Sequence, residues 1–422
     1  MNLSIIGTGY VGLSTAAGFA SKGHKVICVD KDESKIAAVR KGKSHFYEEG
    51  IEEALFEALS KGLLEATTDT AYAVKNSDIT FICVGTPSDD SGKINLDYIK
   101  AAGEEVGLAM KNKKGHIVVV KSTVVPGTTE TVILPILQKY SKNFGICMNP
   151  EFLREGKALQ DFLHPDRVVI GELDTKSGDA LEKLYIGFGA PVIRTKLAAA
   201  EMIKYASNVF LASRISLINE LGNICKKLGI DVYDVAKAVG YDKRIGPHFL
   251  EAGAGFGGSC FPKDVSALQR RAEEIGCETG MMKEMLETNA RQRKVLVDLL
   301  KSRTSLKGKK IAVLGLAFKE DTDDIRESPA IDVIAMLKRE GASVHAYDPK
   351  AAENMKRLYP EVAYSSIAKA LQGADACLIL TKWKELTLLA DNDFAPMRNK
   401  IIIEAKKVLD PAKVKGFEGI CW

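Results

Sequence analysis

Residues 3–12 read LSIIGTGYVG, a short apolar run followed by three glycines at the spacing G-x-G-x-x-G. The apolar run has the composition of a buried strand, and the residues after Gly12 have that of an apolar helix. Asp30 closes the next strand-like run, 18 residues beyond Gly12. A strand, a glycine turn, a helix and an acidic residue at this distance form the dinucleotide-binding fingerprint. The stretch therefore predicts a Rossmann-like fold.

The chemistry of this motif predicts the cofactor. Glycines let the backbone approach a pyrophosphate, and the helix N-terminus supplies N–H groups. The Asp30 carboxylate would accept a hydrogen bond from the adenosine ribose 2′-hydroxyl and would repel a 2′-phosphate. Lys31 and Lys35 weaken that preference without reversing it. The motif therefore predicts NAD rather than NADP, and the alternative is a vestigial fold of the same type that binds no nucleotide.

The order of strand-like and helical segments predicts the architecture. LSIIG, KVICVD, ITFICVG, HIVVVKS and FGICMNP alternate with polar or amphipathic segments, which indicates a parallel α/β sheet. A helical period then runs from about 196 to 228, with further helix in DVYDVAKAV and from about 264 to 302, and KKIAVLGLAF, SVHAYDP and ACLIL restart the alternation. The predicted fold class is α/β, with two Rossmann-like parallel-sheet domains joined by a central all-helical domain with one long helix. The predicted domains are 1–195, 196–300 and 301–422.

The long helix and the last domain carry two further expectations. Some thirty helical residues would span about 45 Å, more than a small domain needs. Part of this helix would then pack against another protomer, or the helix would be buried entirely within one chain. The last domain keeps only Gly315 of the glycine motif, and Asp348 ends its second strand. We therefore expect it to bind a nucleotide other than NAD.

Composition excludes several classes of partner. A net charge of +4 over 422 residues argues against nucleic-acid and membrane partners. The N-terminus shows no secretory signal, and no apolar run is long enough to span a bilayer, so a cytoplasmic location is predicted. Eight cysteines without any C-x-x-C pair are expected to be thiols, and no metal site is predicted. Cys28, Cys83 and Cys377 lie in apolar runs and are expected in the core.

Cys260 differs from the other cysteines because it lies in GAGFGGSCFPKD, residues 253–264. We expect the glycines to bring the backbone close to a ligand. Pro262 indicates the first turn of a helix, so Cys260 would lie at a helix N-terminus beside Lys263, where a thiolate is stabilised. Asp264 follows one helical turn later. The pattern predicts a reactive cysteine, and the alternative is a small buried thiol.

Other polar residues lie where α/β sheets bind ligands. Glu151 and Glu155 lie in NPEFLREG, which we take to end the last strand of the first domain, and both are candidates for acid–base chemistry. Thr123 follows the strand HIVVVKS. Lys204 and Asn208 are four residues apart, so they share a face of the long helix, where they could polarise an alkoxide or hold a water. The alternative for these two is a surface or interface position.

Taken together, these motifs resemble the UDP-glucose/GDP-mannose dehydrogenase family of nucleotide-sugar dehydrogenases. The resemblance covers nearly the whole chain, through GTGYVG, VGTP, KSTVVPGTT, NPEFLREG, AEMIKYASNVFLASRISLINE, RIGPHFL, GFGGSCFPKD and AFKEDTDDIRESP. NPEFLREG followed by DFLHPDRVVIG is similar to the UDP-glucose branch. The resemblance implies NAD-dependent four-electron oxidation of UDP-glucose at C6 to UDP-glucuronate, for polysaccharide biosynthesis.

The resemblance also implies a role for each site residue. Cys260 would capture the aldehyde as a thiohemiacetal and then carry a thioester, while a water near Lys204 and Asp264 takes the first proton. The implied catalytic residues are Thr123, Glu155, Lys204, Asn208, Cys260 and Asp264. The implied cofactor contacts are Gly7, Gly9, Tyr10, Val11, Gly12, Asp30, Lys35, Thr86, Thr123, Glu155, Lys263 and Arg326. The implied substrate contacts are Glu151, Phe152, Leu153, Arg154, Glu155, Lys204, Asn208, Arg244, Phe249, Leu250, Glu251, Ala252, Gly253, Gly257, Phe318 and Lys319.

The resemblance further implies a homodimer through the long helix, with Arg244 reaching the neighbouring site. One departure is Lys406 and Lys407, which stand where the family commonly has a substrate-binding arginine. Lysine keeps the charge but loses the two-pronged guanidinium contact. Two alternatives stay open. The first is the same chemistry on UDP-N-acetylglucosamine, UDP-galactose or GDP-mannose, and the second is a non-enzymatic NAD-sensing module.

Overall fold

The computed structural model describes residues 1–89 and 91–422. They form two compact units, Met1–Ser207 and Asn208–Trp422. The predicted domain boundaries near residues 195 and 300 stay a prediction.

The first unit is built on an eight-stranded sheet. Its strands are β1 (Asn2–Ile6), β2 (Lys25–Val29), β3 (Leu64–Thr67), β4 (Ile79–Ile82), β5 (His116–Val120), β6 (Phe144–Met148), β7 (Val168–Glu172) and β8 (Val192–Lys196). They lie in the order β3-β2-β1-β4-β5-β6-β7-β8, and only the β6–β7 pair is antiparallel. The first six strands therefore have the Rossmann order, whose ligand crevice lies at the carboxyl ends of β1 and β4.

Helices cover both faces of this sheet, so its strands are apolar along most of their length. They are α1 (Tyr10–Ser21), α2 (Glu33–Arg40), α3 (Ile51–Ser60), α4 (Thr70–Lys75), α5 (Asp97–Ala109), α6 (Leu134–Gln138), α7 (Ala158–Leu163) and α8 (Thr175–Glu182). A π-helical turn, Thr129–Ile133, precedes α6, and a 3-10 turn, Lys183–Tyr185, follows α8. Asp32, Asp69 and Asp174 cap α2, α4 and α8 by accepting hydrogen bonds from backbone N–H groups of the first turns.

The prediction that NPEFLREG ends the last strand of the first domain is wrong. The motif follows β6, and β7 and β8 extend the same sheet beyond it. β7 is antiparallel to β6, so it breaks the strand–helix alternation on which the prediction was based. The motif still lies at the carboxyl end of a parallel strand, because β6 pairs in parallel with β5.

The second unit combines long helices with a second sheet. α9 (Leu197–Leu228) begins in the first unit and ends in the second, and it is followed by α10 (Val232–Gly240), α11 (Phe261–Glu274) and α12 (Gly280–Arg303). The helix predicted from about 264 to 302 is present as two helices, because α11 ends before Gly276. This glycine has a φ of 75°, and the N–H of Cys277 bonds back to the carbonyl of Ala272, which ends the helix.

The second sheet repeats the first topology with six strands. They are β9 (Lys310–Leu314), β10 (Ser343–Tyr347), β11 (Ala363–Tyr364), β12 (Ala376–Ile379), β13 (Ile402–Glu404) and β14 (Phe417–Gly419). Their order is β11-β10-β9-β12-β13-β14, and every neighbouring pair is parallel. The associated helices are α13 (Pro329–Arg339), α14 (Ala352–Leu358), α15 (Ile367–Leu371) and α16 (Asp391–Phe394), with a 3-10 turn at Leu386–Leu388. The predicted fold class, two Rossmann-like sheets with a helical central region, is confirmed.

No helix in the described part of the chain combines the length and the hydropathy that a membrane span requires.

Candidate active site

The glycine turn between β1 and α1 fits a dinucleotide. Gly7 has a φ of 99°, and a Cβ there would lie 2.8 Å from the Cys83 carbonyl oxygen. A Cβ on Gly12 would lie 1.9 Å from the Gly7 carbonyl oxygen, so this glycine lets α1 pack against the strand. Gly9 has no atom within 4 Å of the Cβ position, and no side chain caps α1. The α1 N-terminus is therefore open to a pyrophosphate, with Tyr10 and Val11 in its first turn.

Asp30 lies after β2, at the position that binds an adenosine ribose. Its Oδ2 accepts hydrogen bonds from the N–H (2.9 Å) and the hydroxyl (2.7 Å) of Thr8. Burial alone would raise the pKa of Asp30, but these bonds and the nearby Lys35 hold it below the ordinary value. The side chain is half-buried and anionic, as recognition of a 2′-hydroxyl requires. His45 also interacts electrostatically with the Asp30 carboxylate. It was not predicted from the sequence as part of the site.

Replacing Asp30 with asparagine is expected to change cofactor selectivity. The variant keeps an acceptor for Thr8 but loses the negative charge, so the KM for NAD should rise about ten- to hundredfold, while NADP gains measurable use. Steady-state kinetics with both cofactors would test this. Asp32→Asn, which alters only the exposed α2 cap, is the matched control. An unchanged NAD/NADP ratio in Asp30→Asn would contradict the assignment.

The predicted residues Thr86 and Thr123 are brought together after β4 and β5. The Thr86 hydroxyl donates to the Thr123 carbonyl oxygen at 2.7 Å. The loop that follows is fixed by Glu201 of α9, which is fully buried and accepts hydrogen bonds from the N–H groups of Gly127 and Thr129. Glu201 was not singled out from the sequence, although an acidic residue in an apolar helix was a usable signal.

A buried ion pair joins two of the predicted residues. Lys204 Nζ lies 2.7 Å from Glu151 Oε1, and the two residues are 3% and 6% exposed. Burial would raise the pKa of Glu151, but Lys204, the Leu153 N–H and Lys121 lower it below the ordinary value. Glu151 is therefore a carboxylate at neutral pH, suited to hold Lys204 rather than to store a proton. The structure rules out the predicted surface alternative for Lys204.

The rest of NPEFLREG is also placed. The Phe152 ring lies 3.9 Å from the Arg167 guanidinium carbon, and Arg167 was not predicted as part of the site. The exposed Arg154 pairs with Asp161 through two guanidinium nitrogens. Glu155 is half-buried, and the backbone N–H after it, of Gly156, donates to the buried Glu48 at 2.8 Å.

In the second unit, Cys260 is the N-cap residue of α11, as predicted from Pro262. Its thiol is half-buried, and its sulfur lies 3.6 Å from the Ser259 hydroxyl. Among the described residues, none of the eight cysteines forms a disulfide, and six of them, including Cys28, Cys83 and Cys377, are buried. Cys260 therefore differs from the core thiols in access and from the exposed Cys277 in lying at a helix N-terminus.

Asp264 is one turn beyond Cys260 and 1% exposed. Asn208 Nδ2 donates to one of its oxygens at 2.6 Å, and Lys263 Nζ lies 2.5 Å from the other. Asn208 is itself buried, which rules out the surface alternative. Lys263 is thus engaged with Asp264, and its expected cofactor contact stays a prediction. A carboxylate held by an amide and an ammonium can orient a water or a substrate hydroxyl.

Three glycines before Cys260 lie close to other parts of the protein, and their expected approach to a ligand stays a prediction. A Cβ on Gly255 would lie 2.5 Å from Asn289 Oδ1, and one on Gly257 would lie 2.2 Å from the Glu327 carbonyl oxygen. Gly258, with a φ of 83°, faces the Phe318 ring and donates its N–H to the Arg326 carbonyl. These close approaches are to protein rather than to open space. Gly257 and Gly258 therefore pack the cysteine loop against the segment after β9, and Gly255 packs it against α12.

Asn289 of α12 fixes this loop, although sequence reasoning missed it. Its side-chain oxygen accepts the Phe256 N–H at 2.7 Å, and its amide nitrogen donates to the Phe256 carbonyl at 3.0 Å. This two-way pairing mimics a strand contact and holds the backbone four residues before the cysteine.

The expected nucleotide-side segment, residues 249–253, contacts α9, α10 and the loop between β13 and β14. Phe249 has a φ of 61°, a strained conformation for an aromatic residue. The Ala252 carbonyl accepts a hydrogen bond from Tyr233, and the N–H of Gly253 donates to the buried Asn219. The remaining segment residues are Leu250 and Glu251.

The structure distinguishes the two lysines that stand in place of the family's arginine. The Lys406 side chain lies beside Gly253, whose Cβ position is 3.2 Å from Lys406 Cγ. Lys407 instead pairs with Asp231 at 2.5 Å and lies over the Tyr233 ring. Lys406 is therefore the lysine placed beside the expected substrate segment.

Three other predicted residues are charged side chains on loops. Arg326 forms a two-pronged pair with Asp324, and Arg244 does so with Asp242. Lys319 Nζ lies 5.9 Å from the centroid of the Phe318 ring. Arg244 is largely exposed, so its guanidinium is available to a ligand or a second protomer.

Asp348 of the second sheet corresponds to Asp30 of the first, but protein groups donate hydrogen bonds to both oxygens of its carboxylate. Asp348 Oδ2 accepts hydrogen bonds from the N–H groups of Leu316 and Ala317 and from the Trp383 indole. Its Oδ1 accepts two further backbone N–H groups, from Lys350 and Ala351. The buried Asp348 is therefore occupied by protein donors, which fits a use of this domain other than NAD binding.

Among the described residues, no group of three or more His, Cys, Asp or Glu side chains could hold a metal ion. The sites therefore divide into a dinucleotide turn with an acidic ribose position and a helix-capping thiol near a buried carboxylate. Together they define an NAD-dependent dehydrogenase.

Comparison with known proteins gives the family. Residues 1–189 match the NAD binding domain of the UDP-glucose/GDP-mannose dehydrogenase family, residues 198–291 its central domain and residues 312–411 its UDP binding domain. The chain belongs to this family, and NAD is its cofactor.

The similarity to individual relatives extends over the whole chain. The UDP-glucose 6-dehydrogenase of Haloferax volcanii is 44% identical over 432 residues, covering 100% of both chains. UDP-glucose 6-dehydrogenase TuaD of Bacillus subtilis is 45% identical, covering 91% of this chain and 84% of that protein. The solved structure of a UDP-glucose dehydrogenase from the hyperthermophilic archaeon Pyrobaculum islandicum matches with a TM-score of 0.95 and 42% identity, covering 100% of this chain and 97% of that chain.

Proposed function

We propose that the chain oxidises the C6 hydroxymethyl group of UDP-glucose to a carboxylate, giving UDP-glucuronate. Relatives named for this activity, similar along almost their whole length, support the substrate. The observation that carries the chemistry is the accessible thiol of Cys260 at the N-terminus of α11, one turn before the buried Asp264. A thiol in this setting can hold an aldehyde, so one enzyme can remove four electrons without releasing it.

The first oxidation removes a hydride from C6 and a proton from its hydroxyl. When bound at the Gly7–Gly12 turn, NAD supplies the hydride acceptor for both oxidations. The hydroxyl proton passes to a water held by Lys204 and Asp264. Lys204 also offsets negative charge on the C6 oxygen, because its ammonium carries a full positive charge.

Cys260 then captures the aldehyde. Its thiolate sulfur forms a bond to C6, and the carbonyl oxygen takes up a proton, which gives a thiohemiacetal. Asn208 and Thr123 order the oxyanion and the water around it. Loss of a second hydride from C6 and of the hydroxyl proton converts this adduct to a thioester.

Hydrolysis completes the cycle. A water activated by Glu155 adds to the thioester carbon, the C–S bond breaks, and the Cys260 thiolate leaves. The product is the C6 carboxylate, and one water is consumed for each sugar. The Phe249–Gly253 segment, Lys319 and Lys406 are proposed to bind the nucleotide sugar.

The substrate assignment is tested by counting NADH. Purified protein with UDP-glucose should form two NADH for each UDP-glucuronate. UDP-N-acetylglucosamine, UDP-galactose and GDP-mannose should give lower kcat/KM values. One NADH per sugar would mean an aldehyde product, and a higher kcat/KM with another sugar would replace UDP-glucose as the substrate.

We also propose a homodimer through α9. Phe210, Leu217, Leu221, Ile224 and Leu228 form a stripe at helical spacing, and all five are exposed in the second unit. The alternative in which the helix is buried entirely within one chain does not fit this exposure. An exposed apolar stripe of this length is typical of an interface. In a two-fold symmetric dimer, this stripe would pack against the same stripe of the second protomer.

Replacing Leu217 with glutamate is expected to separate the protomers, because the carboxylate would be buried against its symmetry mate. Sedimentation velocity at micromolar concentration should show a dimer for the wild type and a monomer for the variant. Met281→Glu, at an apolar position that is 89% exposed on α12, is the control and should stay dimeric. A monomeric wild type would contradict the proposal.

A further inference from the structure

A second buried lysine, Lys121, follows β5 in the first unit, and the mechanism above gives it no role. It is 3% exposed, and its Nζ donates to Asn149 Oδ1 at 2.9 Å. Asn149 follows β6 and is separated from Glu151 only by Pro150. Burying an ammonium is costly, and a neutral side chain of similar length would avoid that cost. The charge therefore calls for an explanation.

The hydrogen bond from Lys121 to Asn149 does not by itself explain why a charged residue is buried here. Asn149 Oδ1 already accepts the Tyr185 hydroxyl at 2.5 Å, and Asn149 Nδ2 donates to the Val169 carbonyl at 2.9 Å. These bonds fix the amide between β6, β7 and the 3-10 turn. The Asn149 side-chain amide would stay satisfied without Lys121, and the other bond of Lys121, to the Asn149 carbonyl, is long at 3.5 Å, so the lysine contributes chiefly its charge.

The charges around Lys121 indicate what it acts on. The titratable groups that face it are Cys83, Glu151, Lys204 and Tyr185. Burial raises the pKa of the Cys83 thiol to about 12 and also raises the pKa of the Tyr185 phenol, so both are neutral near pH 7. The cluster then holds two ammonium groups and one carboxylate. Glu151 is the anion that both lysines face.

We propose that Lys121 is a positioning residue for Glu151. Its ammonium donates to Asn149, two residues before Glu151, and its positive charge stabilises the carboxylate that pairs with Lys204. This inference rests on the proposed function of Lys204 and adds a residue to the same reaction. Lys121 acts through Glu151 and is not assigned a substrate contact.

The proposal has a pH dependence of definite sign. Burial lowers the pKa of Lys121 to about 8, while Cys83 and Glu151 raise it and Lys204 lowers it further. Lys121 is therefore charged below that pH and neutral above it. Turnover that depends on the charge should fall as the pH rises through about 8.

Two substitutions separate charge from hydrogen bonding. Lys121→Gln keeps a donor for Asn149 without the charge, and Lys121→Met removes both. Both should lower kcat at pH 7 roughly tenfold, equivalent to about one pKa unit of interaction. Both should also lose the fall in kcat near pH 8. Their Tm should equal or exceed that of the wild type, because a buried charge has been removed.

Tyr185→Phe is the matched control, because it removes the other donor to the same Asn149 oxygen without changing charge. It should lower the Tm and keep the wild-type pH profile. Lys121 variants with a wild-type pH profile and kcat within about twofold of wild type would overturn the inference. So would Lys121 variants less stable than Tyr185→Phe, which would indicate a structural role. A wild type that forms no NADH with UDP-glucose would instead overturn the substrate assignment, and the profile would then be measured with the sugar that is oxidised.

Discussion

Replacing Cys260 with alanine is expected to abolish uronate formation and to lower kcat by at least about 10⁴-fold. Without the thiol, an aldehyde has no covalent anchor for the second hydride loss. Cys260 caps α11 through its backbone, and no side-chain capping bond is made, so alanine keeps the helix start. The Tm should therefore change little. Turnover is measured as NADH together with chromatographic detection of the uronate.

Cys277→Ala is the matched control for this variant. Cys277 is the exposed cysteine of the second unit and lies in the turn between α11 and α12. Its loss should leave kcat unchanged, so a similar fall in both variants would indicate a general loss of native structure rather than a specific role of the Cys260 thiol. Full uronate formation by Cys260→Ala would exclude covalent catalysis at this residue.

Replacing Lys204 with methionine is expected to have the second-largest effect. Loss of the ammonium should lower kcat about 10²–10³-fold, because charge on the C6 oxygen is no longer offset. It also leaves the Glu151 carboxylate buried beside a methyl group. Breaking a buried pair in this way should lower the free energy of unfolding by about 3–5 kcal/mol.

The loss of stability in Lys204→Met should depend on pH with a definite sign. In the wild type the ion pair holds the pKa of Glu151 below its ordinary value, so this carboxyl contributes stability above its unfolded pKa. In the variant, burial dominates and raises the pKa of Glu151 in the folded state. Protonation then removes the buried charge, and the stability deficit should shrink as the pH falls toward 5.

The double variant Lys204→Met/Glu151→Met distinguishes stability from catalysis. Removing Glu151 as well should restore much of the lost unfolding free energy, because the carboxylate that lost its ammonium partner is gone, while Lys121 keeps its hydrogen bond to Asn149. Turnover should stay low, because the ammonium is still absent. Urea unfolding and NADH kinetics on the same samples would measure both. Recovery of kcat in the double variant would contradict a catalytic role for Lys204.

The sequence predicted those parts of the fold that follow from local patterns. The Gly7–Gly12 turn, the long helix ending at Leu228 and the cap position of Cys260 each depend on residues close in the chain. Strands β7 and β8 were missed because β7 runs antiparallel to β6. That pairing joins segments whose order along the chain does not predict their direction in the sheet.

The candidate site was predicted in its residue types but not in its contacts. The ion pair of Glu151 with Lys204 joins residues 53 positions apart, so no spacing rule could have found it. The glycines around Cys260 were expected to approach a ligand, whereas several of them meet Asn289, Glu327 and Phe318. A glycine in the sequence indicates that another group lies close to the backbone, but it does not identify that group.

Some residues near the site that were not predicted could have been recognised from their positions in the sequence. Lys121 directly follows the apolar strand β5, and Asn149 directly follows β6, where a solvated side chain is not expected. A polar residue at the carboxyl end of a buried parallel strand marks the ligand side of the sheet. The same rule that selected Thr123 and Glu151 would have selected these two.

Covalent capture at Cys260 is tested most directly by mass spectrometry of the protein during turnover. Glu155→Gln should slow hydrolysis of the thioester more than its formation, so the acylated enzyme should accumulate with UDP-glucose and NAD. After acid quenching, peptide mapping should place an added sugar-nucleotide acyl group on Cys260, and Cys260→Ala/Glu155→Gln should carry none. An unmodified Cys260 in a sample that is forming NADH, or an adduct on another residue, would contradict this mechanism.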